Sequence, residues 1–371
     1  MKAAIWEPGA QAKDGDRDVL EVHDVEVRDP QPTEVLVRTT TSGVCHSDLH
    51  FIDGKWGAAF GGRPTILGHE AAGVVEEVGS DVTYVSPGDH VIMSFRPFCG
   101  DCYWCWRGEP NLCPAPNDTQ LSMNRLSWDG RPVMQMASVG SFGEYMLTTQ
   151  SGVLKIPEDV PPAEAALVGC GVMTGVGAAL YTAKVPGGSI VAVIGCGGVG
   201  LNVIQGCRIA GASRIIAVDI LDNKLDFAEQ FGATDRINAT EVDAVEAVKD
   251  LTEGMGVEIA FEAIGNVNAA RQAWDMVRPG GTACIVGMMP LGSEVNLPGP
   301  EFLQEKKAIG CMYGSTRFRE HMPKLLDLYR QGKLDLSGLV SKRFALDEIN
   351  DAFAAMQAGE VARGVLDISQ P

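Results

Sequence analysis

Ten residues restrict the fold of this chain more than any other stretch: Val191-Ala-Val-Ile-Gly-Cys-Gly-Gly-Val-Gly200. A short run of Val and Ile without polar alternation reads as a strand buried on both faces, which requires a parallel sheet covered by helices. Gly195, Gly197 and Gly200 then follow the G-x-G-x-x-G spacing, with Gly198 inside it. Gly195 permits a tight turn, Gly197 lets backbone N–H groups approach a pyrophosphate, and Gly200 lets the following helix pack on the strand with its N-terminus toward the anion. A second apolar run, Ile215-Ile-Ala-Val-Asp219, ends in an acid at the distance expected of a ribose acceptor. A carboxylate there repels a 2′-phosphate and favours NAD over NADP. Such glycines can be purely structural, but a structural turn does not need the whole order of strand, glycines, helix (Leu201 to Ala210), strand and terminal Asp.

At 371 residues the chain is long enough for about two domains. Its 30 basic and 48 acidic residues give a net charge of -18, which argues against nucleic acid and anionic membrane surfaces as partners. Met1 to Trp6 lack the features of a signal peptide, and no apolar run free of glycine is long enough to cross a bilayer. A cytoplasmic protein is expected, and ten cysteines there are metal ligands, catalytic groups or core residues rather than a disulfide framework.

Residues 1 to about 40 alternate apolar and polar side chains, as in Val19–Val27 and Glu34–Arg38, and short strands recur at Gly73–Val78 and His90–Met93. A mainly β, partly closed barrel-like domain is expected. Gly43-Val-Cys-His-Ser-Asp-Leu-His50 and Leu67-Gly-His-Glu70 fall between those strands, in loops, where a polar turn around a structural Cys is the plainer alternative. Cys99, Cys102, Cys105 and Cys113 follow within a short lobe. Four thiolates can close a zinc tetrahedron with no position left for substrate. Ferredoxin spacing is the competitor, but the final gap is seven residues rather than three.

Ala115 to Gly140 has little periodicity and reads as a long surface loop. Strand character resumes at Phe142–Tyr145, a helix is expected over Pro162–Val168, and Gly169-Cys-Gly-Val-Met-Thr-Gly175 could be a close-packed glycine bend. From about 172 to 309 a βα rhythm sets in, with strands at Ile190–Ile194, Ile215–Val218, Val257–Glu262 and Ala283–Val286 and helices at Lys224–Phe231 and Val267–Val277. The tail carries a helix (His321–Gln331), a strand (Val340–Phe344), a second helix (Leu346–Gln357) and a last strand near Val365–Ile368, and is expected to complete the first domain.

The order of these motifs resembles zinc-containing medium-chain alcohol dehydrogenases over essentially the whole length. The resemblance implies an α/β protein, a Rossmann doubly wound parallel sheet plus a mainly β GroES-like catalytic domain. Its divisions would be 1–171 (catalytic, with a structural zinc lobe at 97–114), 172–309 (NAD-binding) and 310–371 (return segment). Two zinc ions and NAD are implied as cofactors. Cys45, His69 and Cys170 would bind a catalytic zinc with a fourth position open, a set that leaves Lewis-acid capacity for a substrate oxygen. Ser47 would accept the alcohol proton and pass it through the coenzyme ribose to His50, whose ordinary pKa of about 6.5 suits a shuttle. Asp48 and Glu70 would orient the ligands or tune the metal. His46 and Arg363 match pyrophosphate-facing positions and Lys224 a ribose contact. Val199, Thr174, Ile264 and Val286 match coenzyme-packing positions. Trp56, Phe95, Phe142 and Met288 match substrate-channel positions, which favours a primary, apolar or aromatic alcohol.

Glutathione-dependent formaldehyde dehydrogenases are a similar group and the alternative reading, but they carry an arginine where this chain has Asn117. A second alternative is similarity to bacterial alcohol dehydrogenases that hold their nicotinamide tightly and recycle it with a second substrate. A non-catalytic relative would lose Cys45, His69 or Cys170, and a zinc hydrolase using Glu70 as base would have no use for the glycine turn and Asp219. The family implies a homo-oligomer, with a dimer favoured and a tetramer possible, acting on a small-molecule alcohol or aldehyde.

Overall fold

The computed structural model describes residues 1–11, 18–56, 61–114 and 124–369. Strands β1 to β7 run over Lys2–Gln11, Asp18–Asp24, Glu26–Val27, Glu34–Gly43, Thr65–Ile66, Ala71–Val78 and His90–Met93. Strands β8 to β11 cover Leu126–Trp128, Arg131–Gln135, Tyr145–Thr149 and Val153–Lys155. They build two sheets, in the order β2-β1-β5-β9-β8-β3 and β11-β7-β6-β4, with β10 also on β4. Strand β4 is buried along nearly its whole length because neighbours cover it on both edges. Two short helices interrupt the strands, α1 (His46–Ile52) and α2 (Tyr103–Trp106).

The expected surface loop at 115–140 is corrected in part. Residues 126–135 form an antiparallel hairpin, in which Leu126 and Val133 are buried partners, while 115–123, with Asn117, lie outside the described residues. The alternation is too short there to be visible in sequence. The possible glycine bend at 169–175 is also corrected. A helical run extends unbroken from Pro162 to Thr182, as α3 (Pro162–Leu167), a π-turn (Val168–Val172), α4 (Met173–Gly177) and a second π-turn (Ala178–Thr182). It is long and apolar enough to cross a bilayer, but 89% of its most apolar window is buried inside the protein. The glycines serve packing: a Cβ on Gly175 would lie 2.6 Å from the Cβ of Asn202.

The second unit is a six-stranded parallel sheet, β12 (Ile190–Ile194), β13 (Arg214–Asp219), β14 (Asp235–Asn238), β15 (Val257–Glu262), β16 (Val277–Ile285) and β17 (Lys307–Gly310). Its order, β14-β13-β12-β15-β16-β17, is that of a doubly wound dinucleotide fold, as the βα rhythm predicted. Helices α5 (Gly198–Ala210), α6 (Asp222–Phe231), α7 (Ala244–Leu251) and α8 (Val267–Met276) connect the strands, and α5 and α6 both stop at glycines in left-handed conformation, Gly211 and Gly232. Strands β14 and β17 and helix α7 were not expected from sequence. Both strands are short edges, and β14 buries only Ile237.

The tail contributes α9 (Phe318–Arg330), β18 (Val340–Phe344), α10 (Ile349–Gln357) and β19 (Arg363–Asp367). Strand β19 pairs antiparallel with β4 and parallel with β18. The two compact units are 1–170 with 317–326 and 336–371, and 171–316 with 327–335.

Helix α9 carries a pH-sensitive residue. His321 is buried, its Nδ1 accepts the Arg317 backbone N–H at 3.2 Å, and burial pushes its imidazole down to about 4. The unfolded chain, with a pKa near 6.5, takes up this proton first, so the stability it supports is complete above about pH 6.5 and lost as pH falls toward 4. Unfolding free energies from denaturant titrations between pH 7.5 and 4.5 are expected to fall more steeply in wild type than in His321→Gln, by about 2 kcal/mol at the acid end.

Candidate functional site

Two clusters of side chains that could hold a metal ion occur among the described residues. The first lies in the β unit and is built from three separate segments. Cys45 ends the turn after β4 and precedes α1, His69 and Glu70 sit in the loop before β6, and Cys170 comes from the π-turn. An inserted residue in a helical run turns side chains off the regular α spacing, and such turns recur at functional sites. One ligand atom from each of Cys45, His69, Glu70 and Cys170 lies within 4.8 Å of all the others, and all four residues are buried.

Asp48 ties two of the segments together. Its Oδ2 accepts the Cys45 backbone N–H at 3.2 Å, while its Oδ1 accepts Gly68 N–H at 2.9 Å and faces His69 Nδ1 at 3.2 Å. With Nδ1 engaged, Nε2 is the nitrogen left for a metal. Gly68 is at φ 87°, and a Cβ there would lie 2.7 Å from the Phe142 ring, so the loop can take this path only with glycine. The ring of Phe95 stands edge-on to His69, centroids 5.6 Å apart.

The electrostatics of the cluster call for a cation. The hydrogen bond from Cys170, aided by His69 and opposed by burial, holds the Cys45 thiol well below its ordinary value, and the Cys170 thiol is pushed well above it by Cys45 and burial. Burial pulls the His69 imidazole down, but Asp48 and Cys45 override it and the net shift is upward. Burial raises the Glu70 carboxyl to about 8, against the pull of Arg363. Two thiols that cannot both ionise, beside an imidazole and a carboxyl, are the donor set that a divalent ion satisfies. The residues fit zinc.

Cys99, Cys102, Cys105 and Cys113 form the second cluster. Sγ of Cys113 lies 3.6 Å from Sγ of Cys99 and 3.8 Å from Sγ of Cys102. Zinc bonds of about 2.3 Å give a tetrahedron edge of about 3.8 Å, so these thiols already stand at ligand spacing. Backbone donors support them, with Cys99 N–H on Cys113 Sγ at 3.3 Å and Asp101 N–H on Cys99 Sγ at 3.5 Å. The backbone hydrogen bond at Cys105 and neighbouring thiols lower Cys102 to about 7, and burial raises Cys105 to about 12. Arg96 anchors the lobe through the Asn111 and Cys113 carbonyls at 3.1 and 2.8 Å.

In the parallel-sheet unit, β12 ends at Gly195 (φ 92°) and α5 begins after Gly197, whose helix end has no side-chain cap. The N-cap glycine has no side chain to occupy the first N–H groups of α5, as an anion site needs. A Cβ on Gly200 would strike the Gly195 carbonyl, and one on Gly197 would meet nothing within 4 Å. Asp219 is buried, with Oδ2 on Cys196 N–H at 2.7 Å and Oδ1 on Ile220 and Leu221 N–H at 2.8 and 3.2 Å. The acid therefore also braces the glycine turn, a role that its position in sequence did not reveal. Asp219→Gly is expected to shift the NAD/NADP ratio of kcat/KM toward NADP by about tenfold or more while also weakening NADH binding. An unchanged ratio would exclude Asp219 as the discriminating group.

Other expected residues divide. His46 is exposed, Ser47 is half-buried with Oγ 3.7 Å from Cys45 Sγ, and His50 is buried at the end of α1. Trp56 is half-buried, edge-on to Phe51 at 6.5 Å. Thr174 is buried, Val199, Lys224, Val286 and Met288 are half-buried, and Ile264 is half-exposed. One expectation is corrected. Phe142 has no exposed surface; it packs on Phe353 at 6.0 Å and lies beneath Gly68, so it supports the His69 loop rather than facing a channel. Arg363 is buried, and its Nη2 hydrogen-bonds Glu70. Glu70, expected beside the ligands, lies among them.

Comparison with known proteins gives two family matches, an alcohol dehydrogenase GroES-like domain over residues 31–158 and a zinc-binding dehydrogenase domain over 198–331. The chain is 38% identical to the S-(hydroxymethyl)glutathione dehydrogenase of Escherichia coli O157:H7, over 94% of this chain and 96% of that one. Among solved structures it is similar to benzyl alcohol dehydrogenase from Acinetobacter calcoaceticus (TM-score 0.89, 33% identity, 99% of both chains covered). It is also similar to an alcohol dehydrogenase zinc-binding domain protein from Burkholderia ambifaria (TM-score 0.88, 31% identity, 100% of both).

Proposed function

Because the chain belongs to the zinc-containing medium-chain alcohol dehydrogenases, and is an NAD-dependent enzyme of that family, we propose that Cys45, His69 and Cys170 hold its catalytic zinc. In the same reading Cys99, Cys102, Cys105 and Cys113 hold a structural one, and a primary apolar or aromatic alcohol is the substrate. The observation that carries the proposal is the convergence of three distant segments on one buried donor cluster. When bound, zinc would polarise the alcohol oxygen and NAD would accept hydride from its carbon.

The chain's own residues do the rest. Asp48 fixes His69 through Nδ1 and Cys45 through its backbone N–H, so both donors are oriented before a metal arrives. Arg363 holds Glu70 through a hydrogen bond, leaving the two thiolates to match the cation. Ser47 Oγ, beside Cys45, takes the substrate proton, and His50, one helical turn further along α1, delivers it to water. Phe95, edge-on to His69, supplies apolar surface near the donors, and Trp56 would add apolar surface along the substrate path, which favours a substrate without charge. Gly195, Gly197, Gly198 and Gly200 cradle the pyrophosphate, with Asp219 and Lys224 toward the ribose and Thr174, Val199, Ile264 and Val286 against the rings.

The enzyme is proposed to be a cytoplasmic homo-oligomer. Six of the ten cysteines are proposed as zinc ligands, a use of cysteine that suits a reducing compartment. The edge strand β17 follows Phe302 and Leu303, exposed by 50% and 90%, which a second subunit would cover.

A second reading rests on the glutathione-linked relatives. Absorbance at 340 nm with NAD tests both, using benzyl alcohol, hexanol, ethanol and S-(hydroxymethyl)glutathione with and without a zinc chelator. Chelator-sensitive oxidation of benzyl alcohol or hexanol is expected to exceed that of S-(hydroxymethyl)glutathione, and the reverse order would reassign the substrate.

A further inference from the structure

Strand β15, next to β12, ends in an acid that the proposed chemistry does not use. Glu262 has no exposed surface. Its Oε1 accepts successive backbone N–H groups, from Ile264 at 2.8 Å, Gly265 at 2.6 Å and Asn266 at 3.2 Å. Its main-chain carbonyl accepts Val286 and Gly287 N–H at 2.8 and 3.0 Å. The other carboxylate oxygen, Oε2, is buried without a hydrogen-bond partner. Burial holds the carboxyl above its usual range, against the pull of the backbone donors. A fully buried acid that gathers three backbone donors onto one oxygen is costly to desolvate, and its position is tightly specified.

Asn266 already caps α8, accepting Asn268 and Ala269 N–H at 2.8 and 3.1 Å, so the start of that helix does not require Glu262. What Glu262 controls is the turn before the cap. Ala263 donates its N–H to Ile194 at 2.9 Å, at the end of β12. The half-exposed Ile264 covers Gly195 so closely that a Cβ there would strike its side chain. On the other side a Cβ on Gly287 would lie 2.7 Å from Glu262 Oε2 and strike Gly265 N. One residue thus holds two chain segments beside the glycine turn, residues 264–266 through its carboxylate and residues 286–287 through its main-chain carbonyl.

We propose that Glu262 is a positioning residue for the coenzyme: by gathering the N–H groups of Ile264 to Asn266 onto one oxygen, it fixes Ile264 against Gly195 and sets how tightly the dinucleotide is held. This rests on the reading of the glycine turn as the NAD site. Glu262→Ala removes the acceptor, Glu262→Asp withdraws it by one methylene, and Glu262→Gln keeps a carbonyl oxygen in place.

NADH binding to the zinc-loaded, full-length enzyme, followed by fluorescence beside zinc content and Tm, is the test. The NADH Kd is expected to rise about tenfold in Glu262→Ala and Glu262→Asp, with kcat at saturating NAD changing far less. Glu262→Gln is expected to stay within about threefold of wild type. An unchanged Kd in Glu262→Asp, with or without a fall in Tm, would overturn the proposal, and that variant decides alone if Glu262→Ala does not fold. Gly200→Val provides the control for the underlying reading, because its side chain would strike the Gly195 carbonyl and distort the glycine turn. If wild-type NADH binding survives Gly200→Val, the NAD site itself is misplaced and both readings fall. If Gly200→Val abolishes binding while the Glu262 variants leave it intact, only the role of Glu262 is lost.

Discussion

Cys45→Ser is expected to lower kcat/KM by roughly three to four orders of magnitude, with one zinc lost per chain and Tm changed by only a few degrees. The asymmetry between activity and stability follows from how Cys45 is held. Its Sγ belongs to the donor cluster, but the contact that fixes its segment is made by its backbone N–H to Asp48, and serine retains that bond. A serine hydroxyl is a far weaker zinc ligand than a thiolate at neutral pH, so the cluster would be left with His69, Cys170 and Glu70. Metal analysis, thermal melting and the 340 nm assay on one preparation decide the matter. Retained turnover with two zinc ions would exclude the assignment.

Cys102→Ala reverses the pattern, removing the other zinc and destabilising the lobe by several kcal/mol. The lobe has almost no core of its own. Tyr103, Trp104, Trp106 and Leu112 are exposed, and of its cysteines only Cys113 is fully buried. A tetrahedral ion would therefore take the place of apolar packing, with Arg96 and the Phe98–Phe318 contact tethering the lobe to the rest of the unit. Limited proteolysis is expected to cut between Phe98 and Cys113 in the variant and not in wild type, with zinc content falling from two to about one. Unaltered metal content and an uncut lobe would refute the structural site.

The two variants differ because the ligands differ in what surrounds them. Cys45 sits among β4, the 67–70 loop and the π-turn, which bury apolar residues of their own, whereas Cys102 sits in a lobe whose large apolar side chains are exposed.

The sequence by itself determined the features that depend on neighbours along the chain. The Val/Ile run at 191–194 and the 195–197–200 glycine spacing specify a parallel strand turning into a helix, because backbone sterics and side-chain period are local. The four cysteines of the lobe lie within fifteen residues, close enough for their spacing to state a metal site. Only tertiary structure decided the rest. Arg363 reaches Glu70 across 293 residues, and no periodicity records such a pairing. Phe142 becomes a prop because Gly68 leaves room for its ring. Glu262 at the end of an apolar strand looks like any strand-terminal acid until the turn after it folds back onto its carboxylate. Spacing along a chain reports which groups can meet locally, but the burial that turns a common carboxylate into a specific one arises only when distant segments exclude water together.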